Sequence, residues 1–229
     1  MSELPPDLDG ALFDLDRTLL DVNSGRLWLV TEWRAGRLRT LDVAWGAWWL
    51  GRYSLGHEEG LDHVFETATK SIEGTLEVEL EERVRRWFDR ELFHRVRPGA
   101  TATIEAHRRA GHRLVVATSS SCYVARRAME RLSFDDEVST TFHVEEGRFV
   151  GTIDRLAIGK AKDDAVTTWA AQQGFDLGRW AFYTDSVSDL ALMERVGHPV
   201  AVHPDRRLAA IARARGWPIV DWGVSTGPS

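Results

Sequence analysis

From residue 98 to residue 220 short apolar runs and helical stretches take turns, and this alternation leaves few architectures open. Pro98-Gly99 opens a helix over roughly 100–110, and Arg113-Leu-Val-Val-Ala117 reads as a strand ending in Thr118-Ser-Ser-Ser121. Residues 139–153 read as a hairpin turning at Glu146-Gly147. After it come helix 162–173, strand Trp180–Tyr183, helix 186–196, strand Val200–Val202, helix 205–214 and a last strand near Ile219. Near the other end of the chain, Gly10-Ala-Leu-Phe13 is a short apolar run that reads as a buried strand delivering Asp14 at its C-terminal edge. The pattern predicts an α/β fold, a Rossmann-like parallel sheet covered by helices on both faces.

Between these parts, from Val22 to about Arg97, the periodicity is helical, with candidate helices at 24–35, 39–51, 57–72 and 76–94 separated by Gly36, Gly51/Gly56 and Gly74. The expected organisation is therefore an α/β core of residues 1–21 and 98–229 carrying an all-helical cap of residues 22–97. An insert directly after the first strand sits above the C-terminal edge of the sheet. Open α/β sheets bind ligands there, so the insert is a candidate lid.

Composition narrows the function. A chain of 229 residues suits one domain or one domain with an inserted lobe. A net charge of −6 with 43% hydrophobic residues argues against disorder and against a nucleic-acid partner. The single cysteine, Cys122, excludes an internal disulfide and a multi-cysteine metal site and fits a reducing compartment. The start Met-Ser-Glu-Leu-Pro-Pro-Asp lacks a basic, apolar leader. The apolar-rich stretch Leu41–Leu55 is interrupted by Gly46, Gly51, Arg52 and Ser54 and falls short of the roughly 20 residues that span a bilayer. A cytoplasmic protein without a transmembrane segment is expected.

The residues that carry chemistry sit at predicted strand ends. In Asp14-Leu-Asp16-Arg-Thr18, side chains two apart on an extended segment share a direction, so two carboxylates meet. A divalent cation such as Mg²⁺ gives like charges a reason to be close, because it is held by few carboxylates plus phosphate oxygens. The plain alternative is a turn or capping pair. Thr184-Asp185-Ser-Val-Ser-Asp189 follows another strand and opens a helix, so Asp185 can join Asp14 and Asp16 around one ion, or merely cap the helix.

Of 29 basic residues only Lys70, Lys160 and Lys162 are lysines, and two of them stand together at a helix start. A compact ammonium suits a point contact to phosphate, although a solvated loop lysine reads the same. Thr118-Ser-Ser-Ser121 offers hydroxyls and backbone N–H groups as an anion seat or as simple N-caps. Other chemistries fail on spacing. Cys122 lacks an arginine six positions on, His57-Glu58 and His63 lie roughly 240° apart around a helix, and no phosphate-binding G-x-x-x-x-G-K-[ST] loop occurs.

In this order, Asp14/Asp16/Thr18, a hydroxyl after the second strand, a lysine at a helix start and Asp185/Asp189 resemble the four motifs of the haloacid dehalogenase superfamily. The helical insert, Arg97-Pro-Gly99, Gly151-Thr-Ile153, and the run from Asp185 through Gly197-His-Pro-Val-Ala-Val-x-Pro204 to Gly216-Trp-Pro218 are similar to its phosphoserine-phosphatase-like branch. In the insert the likeness is architectural only. The resemblance implies a Mg²⁺-dependent phosphomonoester hydrolase in which Asp14 forms an aspartyl-phosphate and Asp16 serves as acid, then base. It implies Asp14, Asp16 (through its backbone carbonyl) and Asp185 on the metal, with Asp189 and Thr18 orienting that shell. Phosphate would be met by Thr118, Ser119 and Lys162, with Ser120 and Lys160 as fallbacks.

Two departures weigh against phosphoserine as the substrate. Asn23 stands where phosphoserine phosphatases place a glutamate, and no arginine occurs between Tyr53 and Glu82. Trp28, Trp33, Trp45, Trp48, Trp49 and Trp87 all fall in the insert, either as lid core or, with Trp28 and Asn23, as a wall against the substrate. An exposed Trp45/Trp48/Trp49 patch would instead mark a homodimer contact through the cap or a lipid surface. The expected activity is hydrolysis of a small or amphipathic phosphomonoester; a catalytically silent binding module and a phosphotransferase are the alternatives.

Overall fold

Gly10–Phe13 (β1) occupies the middle of a seven-stranded sheet, every residue buried, as its unbroken apolar run requires. Residues 4, 5, 7–37, 69, 70 and 72–225 are described by the computed structural model. The further strands are β2 (Arg113–Ser121), β3 (Asp136–Glu145), β4 (Arg148–Arg155), β5 (Trp180–Thr184), β6 (His198–Val202) and β7 (Ile219–Val220), in the order β4-β3-β2-β1-β5-β6-β7. All neighbours are parallel except β3 and β4, the expected hairpin, which adds an antiparallel strand at one edge.

Register fixes the business edge. Phe13 lies beside Val116 of β2 and Tyr183 of β5, so the next residues along each strand, Asp14, Ala117-Thr118 and Thr184-Asp185, emerge together. Side chains alternate between faces. Ala11 and Phe13 enter a cluster with Leu114 and Tyr183 that receives helices α3 (Pro98–Arg109) and α4 (Cys122–Leu132). Leu12 enters the opposite cluster with Val115 and Phe182, under α5 (Lys160–Gln173), α6 (Leu190–Arg195) and α7 (Arg206–Arg215).

Several boundaries differ from the sequence reading. β2 continues through Ser121, so the hydroxyl run belongs to the strand rather than following it; pairing to β3 shifts register between Ala117 and Ser121. The single helix expected at 186–196 splits into a 3₁₀ turn at Val187–Asp189 and α6.

Of the insert, α1 (Ser24–Arg34) and α2 (Glu77–Trp87) are described. The helix expected at 76–94 gives way after Trp87 to a wide turn at Phe88–Leu92 and a 3₁₀ turn at Phe93–Arg95, with Phe88 and Leu92 fully buried in the first cluster. The expected helix 39–51 and most of 57–72, with Trp45, Trp48, Trp49, His57, Glu58 and His63, lie outside the described residues.

The chain leaves and re-enters the core through a narrow neck. Leu20 bridges Val96, Asp21 N–H donates to Arg95 O at 3.0 Å, and Arg97 N–H donates to Leu19 O at 2.9 Å. The C-terminal residues clasp this neck. Ser225 donates to Asp21 Oδ2 from both its N–H (3.0 Å) and its hydroxyl (2.5 Å), and the buried Arg97 guanidinium donates to Gly223 O. Beyond the neck, residues 74–77 run along the hairpin: Gly74 N–H donates to Phe149 O (2.8 Å), Phe149 N–H to Thr75 O (3.1 Å), and Glu77 N–H to Gly147 O (2.9 Å). This covers an otherwise unpaired strand edge.

At the start of β1 the backbone approaches Trp180 too closely for a side chain. A Cβ on Gly10 would lie 2.6 Å from the Trp180 ring and 2.8 Å from Arg113 O. Gly10→Ala is expected to destabilise the fold by about 1–3 kcal/mol through overpacking, read as a lower urea midpoint with an unchanged slope.

Candidate active site

Asp14 continues the line of β1, its N–H donating to Tyr183 O at 2.9 Å, and the chain then turns sharply. Residues Leu15–Leu19 form a kinked turn in which Arg17 adopts a left-handed conformation (φ 62°). The turn brings the fully buried Thr18 back over Asp14. Thr18 Oγ1 lies 3.2 Å from Asp14 Oδ2 and 3.4 Å from Asp185 Oδ1, and accepts the Asp185 N–H at 3.0 Å. A hydroxyl has one hydrogen, so Thr18 stands between two carboxylates and can donate to only one of them at a time.

Lys162 supplies the positive charge. Its side chain is fully buried, and Nζ lies 3.0 Å from Asp14 Oδ1 and 2.8 Å from Asp189 Oδ1. Lys160, the fallback, is exposed at the first position of α5. Two contacts hold the ammonium in place. Arg195 grips the neighbouring Asp163 through two hydrogen bonds of 2.6 and 2.8 Å, and Thr184 Oγ1 donates to Asp189 Oδ2 at 2.6 Å.

Negative charge is in excess here. Burial lifts the Asp14 carboxyl from its ordinary 3.8 to about 7; Lys162 opposes the rise, and the charges of Asp189 and Asp16 add to it. Asp185 is pushed well above the usual carboxylate range, first by burial and then by Asp14, against the pull of Arg17 and Lys162. Buried oxygens that hold protons this tightly fit a hard divalent cation, and Asp14 and Asp185 are the side chains that could take it. Among the described residues no three or more imidazole, thiol or carboxylate groups converge into a protein-only cage.

Asp16, two residues on, has other partners. Its Oδ1 accepts the Ser24 N–H at 2.7 Å and its Oδ2 accepts the Ser120 hydroxyl at 3.0 Å. Burial raises its proton affinity, and these hydrogen bonds pull it back.

The hydroxyl run of β2 divides its work. Thr118 is buried; its oxygen accepts the Ser120 N–H at 3.1 Å, and among the described residues its own hydrogen meets no acceptor. Ser119 is half-buried, and its carbonyl accepts from Thr140 Oγ1 at 3.0 Å. Ser121 caps α4. Cys122 is buried, its thiol pushed up to about 11 by burial, so no thiolate is at hand.

The two residues expected to bear on substrate choice both make contacts within the fold. Asn23 caps α1, its side-chain oxygen accepting the Arg26 N–H at 2.8 Å. Trp28 packs edge-on against Trp87 at 4.9 Å, with the Arg83 guanidinium 5.5 Å from its ring. Ser24 is the residue that sequence reasoning missed. It is 1% exposed, and no local pattern ties position 24 to Asp16 or to Ser120.

The sequence profile of haloacid dehalogenase-like hydrolases matches residues 11–194. The "Inhibition of morphological differentiation protein" of Streptomyces azureus is 40% identical over 124 residues, 54% of this chain and 45% of that protein. The aligned stretch is thus under half the length of that relative. Phosphoserine phosphatase SerB1 of Mycobacterium tuberculosis is 27% identical over 235 residues, 98% of this chain and 75% of that protein. A solved structure of a protein of unknown function from Bordetella pertussis Tohama I superposes with a TM-score of 0.83 at 27% identity, covering 93% of this chain and 98% of that one. With the profile running from β1 into α6 and covering Asp14, Asp16, Lys162, Asp185 and Asp189, the chain belongs to the haloacid dehalogenase-like hydrolase family.

Proposed function

We propose that this chain is a Mg²⁺-dependent phosphatase that hydrolyses a small or amphipathic phosphomonoester through an aspartyl-phosphate on Asp14. The observation that carries the reading is the division of labour between two aspartates two residues apart: Asp14 lies against an ammonium and a second acidic loop, and Asp16 against hydroxyl and amide donors. The name of the SerB1 relative supports phosphate-ester chemistry.

Asp14 attacks phosphorus and the ester P–O bond breaks, while Asp16 hands its proton to the departing alkoxide. Asp16, now ionised, takes a proton from water as that water attacks the aspartyl-phosphate, releasing inorganic phosphate and restoring Asp14. Lys162 and the uncommitted hydroxyl hydrogen of Thr118, with Ser119 beside it, balance charge on the phosphoryl oxygens. Bound at Asp14, Asp185 and the Asp16 backbone carbonyl, Mg²⁺ would neutralise the paired carboxylates and draw charge from the phosphoryl group. Asp189 and Thr18 hold these groups in line. Residues 22–97 act as the lid that selects the alcohol portion of the substrate. Asn23 offers no carboxylate to a substrate amine and its oxygen is already taken by the α1 cap, which weighs against phosphoserine.

Wild-type protein is expected to hydrolyse p-nitrophenyl phosphate with Mg²⁺ and to stop with EDTA; Asp14→Asn should fall to background, and full wild-type turnover by that variant would refute the reading. Asp16→Asn should lose about 10²- to 10⁴-fold on alkyl esters. A panel with phosphoserine, histidinol phosphate and a lysophosphatidate would rank the substrates.

Stability should also depend on pH in a defined direction. The folded Asp14 carboxyl titrates near 7 and its ordinary value is 3.8, so between these values the folded chain holds a proton that the unfolded chain releases. Stability from this group is present below about 4 and lost as pH rises through about 7. The melting temperature of metal-free wild type should therefore fall across that window more steeply than that of Asp14→Asn, and Mg²⁺ should recover the wild-type value at the alkaline end.

A further inference from the structure

We infer that Ser24 and Ser120 are positioning residues that aim the Asp16 carboxyl, forming a bridge that ties its orientation to the first turn of α1; the inference rests on the acid-base role proposed for Asp16. Three parts of the chain meet in one closed ring. Asp16 follows β1, Ser120 lies in β2, and Ser24 opens α1 at the start of the insert. Ser24 N–H donates to Asp16 Oδ1 (2.7 Å), Ser120 Oγ donates to Asp16 Oδ2 (3.0 Å), and the two serine oxygens are 2.8 Å apart.

Each hydroxyl carries one hydrogen, and that of Ser120 goes to Asp16; the Ser24 hydroxyl, which also bears on the Asp16 carboxyl, closes the ring against Ser120 Oγ. Ser24 does not serve as the cap of its helix, since Asn23 does, and its amide is one of the first-turn N–H groups left without a helical acceptor. Both polar groups of Ser24 are thus committed to the ring, and the residue is 1% exposed although it begins a helix.

Anchoring each carboxyl oxygen by a separate donor stops the group from rotating. A proton donor must meet the ester oxygen within a fraction of an ångström and a narrow angle, so holding that plane matters for transfer. Because one anchor belongs to the insert and the other to the sheet, displacement of the first turn of α1 removes the Oδ1 donor and the hydrogen bond supporting Ser120 in one movement.

A purely structural role for the serines would slow all substrates alike, and leaving-group dependence tells the two apart. Phenolate leaves p-nitrophenyl phosphate without needing a proton, whereas an alkoxide does not, and kcat/KM reports only the steps through loss of the leaving group. For Ser120→Ala and Ser24→Ala the ratio of kcat/KM on p-nitrophenyl phosphate to that on β-glycerophosphate should rise by about tenfold or more over wild type. Ser120→Thr, which keeps the hydroxyl, should restore it. The double variant should be little worse than either single one, because the two act as a unit. Asp16→Asn sets the maximum of the ratio. If Asp16→Asn raises the ratio and neither serine variant does, the bridge is overturned and the phosphatase reading stands. If wild type hydrolyses p-nitrophenyl phosphate but no alkyl ester, or Asp16→Asn leaves the ratio unchanged, the acid role falls and the bridge with it. If wild type hydrolyses neither ester, the phosphatase reading itself is what fails. Should Ser120→Ala not fold, Ser24→Ala, which keeps the backbone donor, carries the same test.

Discussion

The Lys162 ammonium lies buried between Asp14 and Asp189, and the cost of removing such charges from water sets terms for the elements around it. Desolvation of an ion costs several kcal/mol, and attraction repays it only when the geometry is held. The local sequence provides that hold. α5 begins after Gly159, Asp163 locks its first turn to Arg195 on α6, and Thr184 secures Asp189 from the end of β5. A cluster with more carboxylates than ammonium groups remains polarised even so, and burial and mutual repulsion keep Asp14 and Asp185 above the ordinary carboxylate range.

Environment gives neighbouring aspartates separate identities. Asp14 and Asp16 share residue type and strand end, yet the turn at Leu15–Leu19 sends one toward α5 and the other toward α1. Arg17 in a left-handed conformation is part of that divergence; a non-glycine residue held there costs of order 1 kcal/mol and persists because the surrounding contacts fix the turn.

Much of this was legible in the chain. The alternation from residue 98 onward announced the sheet, and an apolar run ending in Asp marked both Asp14 and Asp185, because a strand buried on both faces can be polar only at its ends. The apolar pattern misplaced the end of β2: Thr118–Ser121 are polar yet remain extended, Ser121 pairing with Thr140 of β3. Hydrogen bonding continued the strand where hydrophobicity had stopped. Lys160 and Lys162 read alike in the chain, whereas in the fold Lys162 is buried and Lys160 is exposed, because only one face of α5 turns inward. Ser24 was invisible for a deeper reason, since three positions separated by 8 and 96 residues meet only through the tertiary fold.

The clasp at the neck joins distant parts of the chain in another way. Gly223 and Ser225 hold Arg97 and Asp21, which lie side by side at the two ends of the stretch 22–97, while Trp222 packs on Phe13 and Tyr183 beneath the turn Leu15–Leu19. Residues far apart along the chain thus close over both crossing points from one side, so a change at Asp21, Arg97, Gly223 or Ser225 is felt at strand β1 as well.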